Sequence, residues 1–241
     1  MASPFISILT PVYNGVEFLE ECLTSVCNQT YTDWDMWIGV NGHGPDGGEV
    51  LATVRRIVSA VPLEVRNRIH VRLQPPPLKG KVESLNDLMQ YVRGEWIALL
   101  DCDDVWDPHK LEIQVRTLKE EGRHAAVLGT FCRYFGTMGG SPHLPAGYID
   151  PTILGQVNPL INSSALVHRS LARWRYTDIC YGMEDYDLWM RISLAGGKLY
   201  NVPYMLVGHR IHPTSAFNAV GQDPKRLQEQ YREWSKHIGL L

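Results

Sequence analysis

The sequence predicts an α/β fold with a Rossmann-like, mostly parallel central sheet flanked by helices. Apolar, strand-like runs alternate with segments of helical periodicity through the first hundred residues. The predicted strands run into turn-forming or acidic residues. The 241 residues, 44% hydrophobic and 20% charged, have the composition of an ordinary globular chain, long enough for one large domain or a domain with an appendage.

Strands and helices are expected to alternate over residues 5–100. The predicted strands are residues 5–10, 34–40, 69–73 and 96–100. The predicted helices carry apolar residues at helical spacing over residues 19–26, 50–58 and 82–92. This β-α-β order predicts a doubly wound sheet, in which ligands lie beyond the carboxyl ends of the strands.

The second half of the chain is less regular. Residues 136–159 are rich in glycine and proline and too long for an ordinary connection, which predicts either a functional lid or a mobile loop. Order is expected to resume at Ile161. Residues 224–237 are polar and helix-prone, as in a terminal helix that packs on the domain or binds a partner.

Charge and cysteine content exclude several classes of protein. The formal net charge of −3 gives no overall attraction for nucleic acid, so no nucleic-acid partner is expected. No apolar run approaches the roughly 20 residues of a membrane span, although peripheral contact with a membrane is left open. Five scattered cysteines without a CxxC pair indicate reduced thiols and a cytoplasmic location.

An acidic cluster follows the most apolar predicted strand. Asp101, Asp103 and Asp104 lie within four residues and repel one another unless a cation or hydrogen bonds offset their charge. A hard divalent ion, Mg²⁺ or Mn²⁺, is the favoured explanation. The alternative is an acidic turn that caps the next helix.

Two further motifs carry chemistry. Glu184 and Asp185 begin a predicted helix, where a carboxylate can accept a proton from a hydroxyl or simply stabilise the helix dipole. Arg210 and His212 share one face of a predicted strand. They can point together at a phosphate or metal, or they are a solvated arginine and a hydrogen-bonded histidine.

Taken in order, these motifs resemble those of the family 2 inverting glycosyltransferases, which have the GT-A fold. The matching segments are Thr10-Pro11-Val12-Tyr13-Asn14, Gly94-Glu95-Trp96-Ile97, Leu100-Asp101-Cys102-Asp103-Asp104, Asn162-Ser163-Ser164, Glu184-Asp185 and Arg210-Ile211-His212. The resemblance covers residues 5 to about 215. It implies a GT-A catalytic domain over residues 1–220 and a C-terminal helical tail over residues 221–241.

The resemblance also implies roles for individual residues. The expected donor-binding residues are Pro11, Val12, Tyr13, Asn41, Lys81, Asn86, Asp101, Cys102, Asp103 and Arg210. The expected metal ligands are Asp103, the first choice, with Asp104 and His212. Asp185 matches the general base, and Glu184 is expected to contact the acceptor. Trp106 is a candidate acceptor platform, with simple packing as the alternative.

The implied reaction is the Mn²⁺- or Mg²⁺-dependent transfer of a sugar, with inversion, from a nucleoside diphosphate sugar to the hydroxyl of a glycan or other acceptor. Many relatives have an acidic turn after the second strand, whereas this chain has Val40-Asn41-Gly42. Asn41 can both donate and accept hydrogen bonds, so UDP stays the first choice of carrier although the acidic turn is missing, with GDP, dTDP and CMP left open.

Two other functions are consistent with parts of the sequence. The Asp101-Cys102-Asp103-Asp104-Val105 run also matches the motif of HAD-type phosphohydrolases, in which the first aspartate attacks phosphorus. The unusual turn at Asn41 is compatible with an inactive module that only binds a glycan or a nucleotide.

Overall fold

The structure is a computed structural model, and it describes residues 5–42, 47–74, 80–120, 124–175, 180, 182–215, 224–237 and 239. The strands are β1 Ile6–Val12, β2 Trp34–Val40, β3 Ile69–Leu73, β4 Trp96–Leu99, β5 Val105–Trp106, β6 Ala125–Gly136, β7 Gly147–Tyr148, β8 Leu166–His168 and β9 Lys198–Ile211. The helices are α1 Leu19–Cys27, α2 Gly47–Ser59, α3 Leu63–Arg66, α4 Lys81–Leu88, α5 Lys110–Glu120, α6 Glu184–Leu194 and α7 Pro224–His237.

The strands form a single mixed sheet in the order β3-β2-β1-β4-β8-β6-β9-β5, with β7 also paired to β9. The first four strands are parallel, as the alternating pattern predicts. The second half is mixed: β8 runs antiparallel to β4 and β6, β6 and β9 are parallel, and β5 and β7 run antiparallel to β9. The parallel half therefore follows the prediction, and the antiparallel pairs belong to the irregular half of the sequence.

Apolar side chains cover both faces of the sheet. On β1, Ile8 belongs to the cluster that includes α1 and α2, whereas the adjacent Leu9 packs with α4 and α6 on the other face. This alternation follows from the two-residue repeat of a strand. Burial on both faces holds the central strands rigidly, so the loops at their carboxyl ends start from fixed positions.

Much of the segment 136–159, predicted to be a lid or a mobile loop, is packed against the domain. The Asn201 amide donates to the backbone oxygens of Pro145 and Pro159, at 3.0 and 2.8 Å. Ile149 and Leu154 are buried in the core, where they pack with apolar residues of α4 and α6. Residues 137–141, by contrast, are exposed.

The C-terminal helix α7 packs on the same region. Leu227 and Tyr231 are 1% and 0% exposed, and the Tyr231 hydroxyl lies 3.2 Å from the Ser193 hydroxyl in α6. The expected boundary at residues 220 and 221 lies outside the described residues. Within the described ranges, no helix combines the length and apolar character needed to cross a bilayer.

Candidate active site

The motifs from five segments meet at one edge of the sheet. Parallel pairing aligns β1 with β4, so the loop after Val12 and the acidic run after Leu99 emerge on the same side. The first turns of α4 and α6 and the end of β9 reach this edge as well, as the contacts below show. Sequence-distant polar groups therefore surround one cleft.

Asp101 is fixed by three partners. Its Oδ1 lies 2.6 Å from Lys81 Nζ, and its Oδ2 accepts from the Asn162 amide at 3.0 Å. Its backbone N–H donates to Ser163 Oγ at 3.0 Å. Burial opposes ionisation, but Lys81 and Asn162 outweigh it and lower the pKa of Asp101. The carboxylate is therefore held in its charged form.

Lys81 begins α4 and connects the acidic run to α6. Its Nζ lies 4.0 Å from Glu184 Oε1 in addition to its short contact with Asp101. Burial opposes the charge, but the carboxylates of Asp101, Glu184 and Asp185 outweigh it and raise the pKa of Lys81. Lys81 therefore remains a cation that bridges two acidic segments.

Asp103 and His212 form the second pair. His212 Nε2 lies 2.9 Å from Asp103 Oδ2, and His212 Nδ1 lies 3.1 Å from Thr214 Oγ1. Burial and the carboxylates of Asp104 and Asp101 raise the pKa of Asp103, which His212 partly offsets. The structure thus joins two of the three residues expected to hold a metal.

The chemistry of this pair fits a divalent metal that also binds the substrate. A carboxylate and an imidazole are donors that suit Mn²⁺, whose other positions phosphate and water oxygens can fill. Across the described ranges, no group of three or more His, Cys, Asp or Glu side chains could hold a metal ion. Further ligands would therefore have to come from outside these side chains.

Asp104, expected to be a metal ligand, is buried and makes hydrogen bonds to β9 through both of its carboxylate oxygens. It is 0% exposed, its Oδ1 accepts from the backbone N–H of Arg210 at 2.8 Å, and its Oδ2 lies 2.9 Å from His209 Nδ1. Both oxygens are engaged because β5 pairs with β9 and brings Asp104 beneath His209. The metal role expected for Asp104 stays a prediction, and Asp103 and His212 are the pair that lies together.

His209 was not among the expected site residues. Burial lowers its pKa, but the hydrogen bond and charge of Asp104 outweigh this and raise it. The pairing joins the acidic run to β9. The only sequence signal for it was the position of His209 on the strand face opposite Arg210 and His212.

Arg210 points towards α1. Its guanidinium carbon lies 4.5 Å and 4.2 Å from the ring centres of Phe18 and Phe135, and the group pairs with Glu21. Arg210 Nε also donates to the backbone oxygen of Asp103 at 2.9 Å. The guanidinium therefore contacts both the acidic loop and α1, and its expected position beside a diphosphate stays a prediction.

The exposed aromatic ring of Tyr13 lies where β1 and β2 end. Tyr13 is 55% exposed, whereas Val12 is 0% exposed and belongs to the core. Pro11, beside them, is half-buried. Gly42 has a φ of 76°, and a Cβ atom there would come 2.6 Å from Tyr13 Cδ2. Tyr13 is therefore seated against the turn after β2.

Asn41 and Cys102 support loops near this ring. Asn41 is 2% exposed and its amide nitrogen donates to the backbone oxygen of Gly80 at 3.1 Å, which ties β2 to the start of α4. The Cys102 thiol donates to the backbone oxygen of Asn14 at 3.2 Å, and burial raises its pKa. Both side chains bond to neighbouring loops, and their expected contacts with a donor stay predictions.

Asn86 and Trp106, also expected at the site, make their side-chain hydrogen bonds to the backbone of the fold. The Asn86 amide donates to the backbone oxygen of Trp174 at 2.8 Å and accepts from the backbone N–H of Trp174 at 3.3 Å. Trp106 is 4% exposed, and its indole donates to the backbone oxygen of Ser163 at 2.7 Å. This burial fits packing, the alternative considered for Trp106, and the acceptor role stays a prediction.

Asp185 lies in the first turn of α6, beside Asn158, which was not among the expected site residues. Its Oδ1 accepts from the Tyr186 backbone N–H at 2.7 Å, and its Oδ2 accepts from the Asn158 amide at 3.3 Å. Burial and the charge of Glu184, opposed by Lys81, raise the pKa of Asp185 to about 6. This carboxyl can exchange a proton near neutral pH.

Comparison with known proteins gives consistent matches. The sequence profile described as Glycosyl transferase family 2 matches residues 7–175. A Bacillus subtilis (strain 168) protein named as a glycosyltransferase, EpsE, is 30% identical over 207 residues, which cover 83% of this chain and 71% of the relative. An uncharacterised glycosyltransferase of Haemophilus influenzae is 25% identical over 225 residues, 87% of this chain and 66% of the relative.

Solved structures share the GT-A fold. Residues 1–349 of S. aureus TarS, in complex with UDP-GlcNAc, give a TM-score of 0.69 at 15% identity, covering 98% of this chain and 66% of that one. The mannosyltransferase PcManGT from Pyrobaculum calidifontis, in complex with GDP-Man and Mn²⁺, gives 0.68 at 16% identity, covering 99% and 71%. The chain thus spans about two thirds of the length of these proteins.

Proposed function

This chain belongs to glycosyl transferase family 2, and we propose that it transfers a sugar from a nucleoside diphosphate sugar to an acceptor hydroxyl with inversion at the anomeric carbon. One observation carries the proposal. A carboxyl whose pKa is raised to about 6, Asp185, lies at the same sheet edge as the Asp103–His212 pair. A proton acceptor and a place for a diphosphate are the two parts that such a transfer needs.

The donor is proposed to lie across the carboxyl ends of β1 and β4. The exposed ring of Tyr13 offers a face on which a base can stack, and Asp101 offers a fixed carboxylate for the ribose or diphosphate end. The related folds hold UDP-GlcNAc in TarS and GDP-Man in PcManGT, so both nucleotides are tested. UDP remains the first choice.

Asp103 and His212 are the residues proposed to hold Mn²⁺ or Mg²⁺. When bound, the ion supplies positive charge that offsets the charge developing on the departing nucleoside diphosphate. The presence of Mn²⁺ with GDP-Man in PcManGT supports this assignment. Asp104 is left out because both of its oxygens are engaged by β9.

Asp185 is proposed as the general base. Its ionised carboxylate takes the proton of the acceptor hydroxyl as that oxygen attacks the anomeric carbon, from the face opposite the departing diphosphate. One in-line displacement inverts the configuration and leaves the proton on Asp185. Glu184 lies within 4.0 Å of Lys81 and is proposed to contact the acceptor while Lys81 limits the repulsion between neighbouring carboxylates.

Family membership replaces the phosphohydrolase alternative. An inactive binding module would retain the donor-binding groups without turnover, and the experiment below distinguishes it from an enzyme.

The test is nucleotide release from a panel of UDP, GDP, dTDP and CMP sugars, with Mn²⁺ and with a chelator. We expect the wild type to release nucleotide from one donor class only when the metal is present. Asp185→Asn and Asp103→Ala should not show this release. Asp185→Asn should still bind the donor, whereas Asp103→Ala should lose metal-dependent binding. Full activity of Asp185→Asn, or metal-independent release throughout, would contradict the proposal.

A further inference from the structure

A groove of about 870 Å³ lies at the opposite edge of the sheet from the candidate active site. It is bounded by the end of α4, the residues before β4 and the segment that follows β8. Antiparallel pairing of Trp96 with His168 places the start of β4 and the end of β8 at this edge. Asp101 lies at the other end of β4, so the groove is separate from the transfer site.

The groove is locally positive in a chain whose net charge is −3. Arg93, Arg169 and Arg173 line it and all three are exposed, while Glu95 is the acidic residue among the groups that line it. In the part of the chain that the structure describes, none of the three arginines has a carboxylate within ion-pair distance. Among the described residues, the three guanidinium groups therefore have no carboxylate partner, and Arg169 Nη1 donates to the Val92 backbone oxygen at 3.4 Å.

The backbone that carries these arginines is held in place. The Arg169 N–H donates to the Glu95 oxygen at 2.9 Å, and the Arg173 oxygen accepts from Arg191 at 2.7 Å. Asn86 bonds both the N–H and the carbonyl of Trp174, which is 4% exposed and forms part of the groove wall. A wall that is ordered before binding reduces the entropy lost when a ligand is captured.

We propose that this groove binds a phosphate-bearing ligand, with Arg93, Arg169 and Arg173 contacting the phosphate oxygens. Guanidinium groups bind phosphate through paired N–H donors, and three of them match a ligand with more than one negative charge. The volume lies within the range of small-ligand sites. The phosphate can belong to a soluble diphosphate or to phospholipid headgroups, and the test separates these sources.

The critical variant is the double substitution Arg93→Gln/Arg173→Gln. Neither side chain has an ion pair or side-chain hydrogen bond among the described residues, so the fold should survive the change. The matched control is Arg55→Gln/Arg56→Gln, which removes the same charge from exposed positions of α2. Arg169→Lys is a second test variant, which keeps the charge but loses the paired donors.

Two probes are used on the full chain without divalent metal. Inorganic pyrophosphate is titrated by calorimetry, and vesicles of phosphatidylcholine with and without phosphatidylglycerol are used in co-sedimentation. We expect affinity for at least one probe to fall about tenfold or more in the double variant and in Arg169→Lys, and to stay unchanged in the control.

Each outcome decides the proposal. Groove-dependent binding of pyrophosphate identifies a soluble ligand, and groove-dependent binding of phosphatidylglycerol vesicles alone identifies the headgroup source. The proposal is overturned if the wild type binds neither probe, or if the α2 control loses as much affinity as the double variant. Nucleotide binding with Mn²⁺ should be unaffected in all these variants. The proposal for the groove and the proposal for the transfer site are therefore tested independently.

Discussion

The amide nitrogen of Asn158 donates to Oδ2 of Asp185 at 3.3 Å. The residue after Asp185 is held by the same segment, since the Tyr186 hydroxyl donates to the Leu154 backbone oxygen at 2.6 Å. Helix α7 adds a third contact, from the Gln228 amide to the Gln156 backbone oxygen at 2.7 Å. Residues 154–158 and the C-terminal helix together determine where the Asp185 carboxylate points.

Asn158→Ala should slow transfer by about tenfold, because a hydrogen bond to a charged group contributes roughly 1.5–3 kcal/mol when it is fully formed and this one is long. The bond also favours the ionised carboxylate, so its loss should shift the acid side of the pH–rate profile to higher pH. Gln156→Ala, which removes a neighbouring amide that does not contact Asp185, should leave the profile unchanged. A loss of rate without a shift in pH dependence would limit Asn158 to a role in folding.

Activity should rise as the pH increases through about 6, because Asp185 accepts a proton only when it is ionised and its pKa is raised to about 6. Asp185→Asn should reduce kcat by about 10²–10⁴-fold, the usual contribution of a general base. The measurement is kcat/KM against pH with the donor that the panel identifies. A wild-type profile that stays flat from about pH 5 to 8 would exclude Asp185 as the base.

Asp185→Asn should also stabilise the fold at alkaline pH. A carboxyl whose pKa rises on folding contributes stability below its unfolded pKa and loses it as the pH increases through the folded value of about 6. Because Asp185 is only partly buried, we expect Asp185→Asn to gain about 1–2 kcal/mol in unfolding free energy near pH 8. Urea unfolding near pH 8 and pH 5 tests this, since the gain should shrink at the lower pH.

Gly42→Ala should weaken nucleotide binding, because the new Cβ would lie 2.6 Å from Tyr13 Cδ2 and displace the ring. Gly196→Ala is the matched control: its φ is 81°, comparable to 76° at Gly42, but no atom lies within 4 Å of the new Cβ. Both variants should lose about 1 kcal/mol of stability from backbone strain. Only Gly42→Ala should reduce affinity for UDP or GDP in calorimetry with Mn²⁺.

Asp103 and Asp104, although adjacent, should respond differently to substitution. Asp104→Asn leaves His209 and the Arg210 N–H with weaker partners in a fully buried position and should lower stability by about 2–4 kcal/mol. Asp103→Asn should change stability little but abolish the rise in Tm that Mn²⁺ with nucleotide produces. A metal-dependent rise in Tm that survives in Asp103→Asn would remove Asp103 as a ligand.

Much of the first half of the fold followed from local pattern. Strands β2 and β3 have the boundaries that the sequence pattern predicts, because turn-forming residues follow β2 and the strand residues themselves favour extended backbone. The order of the motifs identified the family. The sequence alone therefore determined the fold class and the enzyme family.

The roles of several individual residues depended on the tertiary structure. Asp103 and Asp104 look equivalent in sequence, yet the Asp104 partner His209 is 105 residues away and is brought near only by the pairing of β5 with β9. Trp106 is buried by packing that no local pattern shows, and Asn158 reaches Asp185 from an irregular segment. A repeating pattern of apolar residues specifies which face of a strand is buried, whereas the hydrogen-bond partners of a polar side chain depend on where distant segments meet.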